Sequence, residues 1–310
     1  MITIDGNTYE GFYSFSAYNV KTKTKRDLSH IIAKEHENLV LNSGLNALGT
    51  TSVCSSCVVG TGNSEPVATQ TSLDNQKAST SNITAGSSGR LSTPPYYMWG
   101  RRTYRFAQGV ASGNLTEVGL TGSGSNLFSR ALIVDTNGSP TTLTILNDEW
   151  LDVTYELRCY QNLEDIDTTV VLDGVTHQVK IRPASVATNL GSHTTFFNQQ
   201  LENYTSYSGT NNTSASYSNG TIGSITGSIS GTVSNLRVSM TSYTQDSFRK
   251  GIVLSSGLDD QNINGGISAG SITTYKGSWQ MSFTPAIPKD NFKTLVLTFY
   301  FKWGPHDPES

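Results

Sequence analysis

A metal or redox centre in this chain of 310 residues would have to be built from three cysteines and five histidines. Cys54 and Cys57 stand in a C-x-x-C arrangement, the spacing of half a zinc site or of a redox dithiol. Structural zinc needs two more ligands at matching spacing, and only Cys159 and scattered histidines remain. A redox dithiol wants a strand that runs into a helix, whereas VCSSCVVG reads as a strand. Burial of the thiols as small apolar groups is the favoured reading, and metal or redox chemistry is the other. Further signatures begin and then fail. His36-Glu37 opens a zinc-protease motif, but Val40 replaces its second histidine. His30 and His36, six apart, leave a helix on different sides. GTGNSE at 60–65 lacks the third glycine and the helix of a dinucleotide fingerprint. GSISG at 227–231 places Ile229 where a nucleophile elbow has serine. EDIDTT at 164–169 has too few acids for a calcium loop. Asp148, Glu149, Asp152 and Glu156 are numerous enough for a glycosidase pair, which is recognised by a separation that sequence does not give. Solvent-facing acids on strands are the preferred reading. No catalytic residue, cofactor or metal is therefore expected, and the chain is read as a non-enzyme.

The elements that would position these residues are mostly strands. Charged residues make up only 15% and hydrophobic ones 35%, while 29 glycines and many Ser, Thr and Asn fill turns and strands. The net charge of −3 argues against a nucleic-acid partner. No stretch approaches the roughly 18 apolar residues of a membrane helix, and the N-terminal residues lack the pattern of a secretory signal. An odd, sparse set of cysteines fits synthesis in a reducing cytoplasm. Residues 1–20 read as one or two strands with a turn at Asp5-Gly6. KTKTKR at 21–26 reads as a lysine-guarded edge or solvated hairpin arm, with a phosphate-binding patch as its alternative. The best helix lies within 28–48, where Leu41, Leu45 and Leu48 share a face and Gly49 would cap the end. Tyr104 and Phe106 share a face of one strand, and FSRALIV at 128–134 forms another. LDVTYELRCY at 151–160 alternates, with Val153, Tyr155, Leu157 and Cys159 opposite Asp152, Thr154, Glu156 and Arg158. VVLDGVTHQVKI reads as a hairpin turning at Asp173-Gly174. WQMSF at 279–283 and TLVLTFYFKW at 294–303 are strands, the second apolar on both sides and so central in its sheet.

These signals give a mainly β fold, an antiparallel β-sandwich or barrel-like body with one short helix and long polar loops. Three regions are distinguished: an N-terminal β-rich assembly region at 1–184, a polar low-complexity insertion at 185–235, and C-terminal strands at 236–310 that complete the same core. The insertion is nearly uncharged. Ile222, Ile225, Ile229 and Val233 recur at helical spacing, but the intervening glycines oppose a helix at about 1 kcal/mol each. Tyr204, Tyr207, Asn211, Asn212 and Tyr217 make it the candidate partner or receptor surface, since aromatic groups amid adaptable polar ones suit recognition. A plain solvated loop is the alternative.

Several segments occur in a familiar order. NLVLNSGLNALG followed by CVVGTGNSEPVATQTSLDNQ resembles the opening of a family of tailed-bacteriophage tail and fibre-associated structural proteins. YRFAQGVASGNLTEVGL, LFSRALIVD and LNDEWLDVTYELRCY are similar to that family's central strands, and WQMSFTPAIPKDNFKTLVLTFYFKWG to its closing ones. The resemblance covers most of 1–183 and about 248–304, and does not extend to 185–235. Gly60, Gly62, Pro66, Glu117 and Gly119 read as positions that keep the fold. The resemblance implies a virion subunit of the tail, baseplate, collar or fibre, made in the host bacterial cytoplasm. Its partners would be copies of itself in a symmetric homo-oligomer and other tail proteins. A receptor-binding adhesin at a fibre tip that recognises a host surface glycan is the alternative, and a glycan depolymerase a third.

Overall fold

A computed structural model describes residues 2–33, 39–50, 53–122, 124–188, 196–197, 214–260 and 262–307. The first half carries β1 (Ile2–Asn19), β2 (Thr24–Arg26), β3 (Ile31–Ala33), β4 (Leu39–Val40), α1 (Asn42–Thr50), β5 (Ser56–Gly60), β6 (Gln76–Thr80), β7 (Ile83–Leu91) and β8 (Tyr97–Phe106). It continues with β9 (Gly113–Leu115), β10 (Glu117–Thr121), β11 (Leu127–Asp135), β12 (Leu143–Ile145) and β13 (Glu149–Gln161). The second half carries β14 (Ile166–Leu172), β15 (Val175–Ala184), β16 (Ser214–Ser218), β17 (Val233–Asn235) and β18 (Arg237–Met240). It ends with β19 (Arg249–Ser256), β20 (Ile267–Thr274), β21 (Gly277–Ile287) and β22 (Leu295–Pro305). The fold is mainly β, with the nine-residue helix α1 and a helical Phe196–Phe197. No described helix is long and apolar enough to cross a membrane.

The 18 residues of β1 tie the molecule together. At about 3.3 Å per residue the strand runs roughly 60 Å. One edge pairs antiparallel with β13 from Asn7 to Asn19, and the other meets β22 in parallel over Ile2 to Tyr9. Ile2 and Ile4 enter a core shared with β22, β19 and the six-stranded sheet β14-β15-β21-β20-β16-β17. That core is a two-layer sandwich of Ile252, Leu297 and Phe299 against Ile181, Tyr217 and Met281. Farther along β1, Tyr9, Tyr13, Phe15 and Ala17 enter a second core with β8 and β13, closed by β5, β10, β11 and α1.

A buried polar cluster holds the 60–75 loop against β10 and β11. Glu117 and Arg130 are both 0% exposed and meet at 2.9 Å. Glu117 also accepts the backbone N–H groups of Gly62, Asp74 and Asn75 at 2.8, 3.1 and 2.9 Å. Arg130 donates further to Asp74 at 2.8 Å and Gln70 at 3.0 Å. A Cβ on Gly60 or Gly62 would stand 2.5 Å from the Glu117 Oε1. The loop glycines and this acid, read separately as positions that keep the fold, are thus one contact.

Several expectations are corrected. Asp5-Gly6 is no turn: β1 runs through it, with a register shift against β22 between Asp5 and Asn7. A Cβ on Gly6 would lie 2.4 Å from the Lys302 carbonyl oxygen, so the strands touch where a side chain would block them. The helix is Asn42–Thr50, shorter than 28–48. Gly49 lies inside it and packs on Tyr243 and Trp303. The 185–235 region contributes β16 to the interior of the six-stranded sheet, between β20 and β17, so its end is part of the core. Residues 236–310 supply strands to both layers. The Asp173-Gly174 turn forms as expected, with φ of 50° and 78°.

Candidate interaction face

The alternation of β1, β13 and β8 sends one set of side chains into the core and the other outward in matched rows. At one end Tyr18 lies opposite Trp150, their rings stacked at 4.3 Å. Next come Ser16, Asp152 and Arg105, then Ser14, Thr154 and Thr103. Phe12, Glu156 and Arg101 follow, then Glu10, Arg158 and Trp99, and finally Thr8, Tyr160 and Tyr97. β7 extends the rows, with Gly89 beside Trp99. A Cβ on Gly89 would come within 2.7 Å of the Trp99 ring, so the missing side chain lets the indole lie across the neighbouring strand.

Each charge on this face is engaged. Arg105 grips Asp152 with two hydrogen bonds, at 2.7 and 2.6 Å, and sits 4.3 Å from the Trp150 ring centre. The hydrogen-bonded Asp152 carboxylate holds the Arg105 pKa above its ordinary value. Glu156 accepts from Arg101 at 3.1 Å and from Arg158 at 2.8 Å. Arg158 lies 3.9 Å from the Phe12 ring centre and 4.8 Å from that of Tyr97. Tyr160 donates its hydroxyl proton to Glu10 at 3.0 Å. Burial first, and then Glu10, outweigh Arg158 and push the Tyr160 pKa up to about 12. Three arginines thus balance three carboxylates. Individual cation–π contacts at such exposure contribute about 0.5–1 kcal/mol, and cross-strand pairs about 0.2–1 kcal/mol. Their joint effect is to hold long side chains in fixed positions before any partner arrives.

Carboxylates gripped by guanidinium groups are poorly placed to move protons. Tyrosine, tryptophan and arginine held half-exposed on a flat sheet have the composition of protein-binding hot spots. The β7 edge lies beside this face. Nine residues long, with neither lysine nor proline, β7 pairs among the described strands with β8 alone.

The residues singled out in the sequence fall elsewhere. Tyr204, Tyr207, Asn211 and Asn212 lie outside the described residues. Tyr217 corrects the expectation of an exposed recognition tyrosine: it is 0% exposed in the sandwich core, edge-on to Phe283 at 6.4 Å. Neighbours brought in by β20 and β21 decide its burial, and nothing local signals it. All three thiols are free and buried, with Cys57 on β5 and Cys54 just before it. Burial pushes the Cys54 and Cys57 thiols well up and Cys159 up to about 11. No group of three or more His, Cys, Asp or Glu residues suited to a metal occurs among the described residues. Glu149 is buried against Arg26 at 2.7 Å, and Asp165 pairs with Arg182 at 2.6 Å. His36 lies outside the described residues. Sequence reading recognised the outward half of β13 as a polar face but missed its partners, because Phe12 and Trp99 reach it only through strand register. Comparison with protein families, with curated proteins and with solved structures finds no match for this chain.

Proposed function

We propose that this chain is a structural, non-enzymatic subunit of a tailed-phage particle that acts by binding copies of itself and neighbouring tail proteins. The observation that carries this reading is the outward ladder of β1, β13 and β8, where Phe12, Tyr97, Trp99 and Trp150 are interleaved with Arg101, Arg105 and Arg158. A surface already ordered loses little side-chain freedom when a partner docks, which favours assembly. The virion context rests on the resemblance of the ordered sequence segments to tail and fibre-associated proteins. Closed rotational symmetry is the natural outcome for identical subunits.

Imaging of the particle tests this directly. The chain is expected at a defined, symmetric position in the tail, with the ladder against a neighbouring subunit. Purified particles that lack the chain, or a particle in which the ladder faces solvent, would sink the proposal.

A further inference from the structure

At the Tyr160 end of the ladder a cleft of about 630 Å³ opens between the start of β1, the end of β22 and the loops at 95–96 and 162–164. Its volume lies within the roughly 300–1,000 Å³ of small-molecule sites. One wall is an aromatic panel, with the His306 imidazole stacked on Tyr160 at 3.9 Å and 10°. His306 is fixed by a hydrogen bond between its Nδ1 and the Thr8 hydroxyl at 2.9 Å, and by its backbone N–H on the Tyr9 carbonyl at 2.9 Å. Burial holds the imidazole below its ordinary pKa, so the panel is uncharged at neutral pH. Tyr96 adds a second, half-buried ring.

Polar groups surround the panel. The Glu164 backbone N–H donates to Asn162 Oδ1 at 3.0 Å, and the Glu164 side chain is exposed with no ion pair among the described residues. Opposite it, Asp5 and Lys302 form a loose pair at 3.3 Å, both more than half exposed. At the base, Asn7 gives its amide N–H to the Lys276 carbonyl at 2.7 Å, while its Oδ1 has no hydrogen-bond partner among the described residues.

This combination selects among ligands. Two carboxylates against one ammonium leave the cleft net negative, which disfavours an anion. A purely apolar ligand would desolvate Glu164, Asp5 and Lys302 without replacing their water. A saccharide offers C–H faces for the rings and hydroxyls that both donate to carboxylates and accept from lysine. We propose that this cleft binds a neutral saccharide. The cleft shares Thr8 and Tyr160 with the ladder, but Tyr96 and Glu164 lie outside it, so variants at these two positions test the sugar site apart from the assembly reading.

The test is saturation-transfer NMR on the full chain with maltotriose, cellotriose, triacetylchitotriose and, as an anionic control, sialyllactose. At least one neutral trisaccharide is expected to show transfer at about millimolar concentration. Tyr96→Ala should weaken that binding about tenfold and Glu164→Gln at least about threefold, with unchanged thermal midpoints and an unchanged oligomeric state. No transfer from any neutral sugar at about 10 mM would overturn the proposal. So would sialyllactose binding as tightly as the neutral sugars, or full binding by Tyr96→Ala. An effect of these variants on particle assembly without sugar binding would reassign the cleft to a subunit contact.

Discussion

Two buried cations show how their surroundings decide what a charge does. Arg130 is wrapped by Glu117, Asp74 and Gln70, so its burial is matched by charge-assisted hydrogen bonds. Lys276 is equally buried, in the turn between β20 and β21, but has no carboxylate partner among the described residues. Its ammonium donates to the Phe196 carbonyl and stands 3.7 Å from the Phe196 ring centre. Burial pushes its pKa down to about 8; Cys159 and Cys54 oppose that shift and Arg102 adds to it. Below about pH 8 the folded and unfolded chains both carry the charge, and the fold bears the desolvation penalty. Between about pH 8 and the unfolded value near 10.4 the unfolded chain holds the extra proton, so this lysine makes stability rise with pH. The buried thiols and tyrosines shift in the opposite sense, chiefly through burial, which is common to the wild type and a Lys276→Met variant; the smaller effect of Lys276 itself on Cys54 and Cys159 is lost in the variant. Urea titrations of both proteins should therefore show the wild type gaining on the variant, by on the order of 3 kcal/mol between about pH 7.5 and about pH 10.5. A stability difference that is flat across this range would mean that Lys276 does not titrate in the fold.

At the scale of elements, α1 is held by what its glycines leave out. Gly44 lies against β11, where a Cβ would stand 2.1 Å from the Phe128 carbonyl oxygen. Trp303 donates its indole N–H to the Leu45 carbonyl at 2.8 Å, and its ring fills the space beside Gly49. Alanine favours an isolated helix over glycine by about 1 kcal/mol. Here the obstacle is backbone, which cannot rotate away, so the propensity gain is outweighed. Gly44→Ala should destabilise the protein by about 1–3 kcal/mol in equilibrium unfolding. A stabilised variant would show that the helix can move off β11. The same contrast between local signal and distant contact explains what was legible in the sequence. The alternation of β13 has a local cause and was readable, and the apolar run of β22 was readable as a strand inside its sheet, but only one side of β22 is buried, with Val296 59% exposed on the other. Asp5-Gly6 has the composition of a turn, yet β22 pairs across it and keeps β1 extended. Leu41 fits the helix period but precedes the helix, and its backbone N–H bonds to the Phe128 carbonyl of β11 at 3.0 Å. In the candidate face, the β13 half was legible as Asp152, Thr154, Glu156 and Arg158. Their aromatic neighbours come from strands about 60 and 140 residues away along the chain, and only register places them.

For the whole molecule, the decisive feature is that two cores share β1 and that strands from the last third of the chain enter both layers. The body is therefore one continuous β structure, and the ladder on β1, β13 and β8 is set by the same strand that joins the cores. That rigidity bears on how subunits would associate. If association were steered by loose surface charge, it would weaken sharply with salt. On this face Arg101, Arg105 and Arg158 are already engaged by Asp152, Glu156 or the neighbouring rings, so added salt has little free charge to screen. Apolar contact by Trp99, Phe12 and Trp150 would carry the binding energy. Light scattering on the eluting protein should thus find an oligomer whose population changes less than about threefold between about 50 and 500 mM salt. The double variant Trp99→Ala/Phe12→Ala removes two half-exposed rings from the face and leaves the Arg105–Asp152 pair in place. It should weaken association at least about tenfold while lowering unfolding stability by no more than about 2 kcal/mol. A monomeric wild type, or a variant that assembles like the wild type, would remove the ladder from the interface.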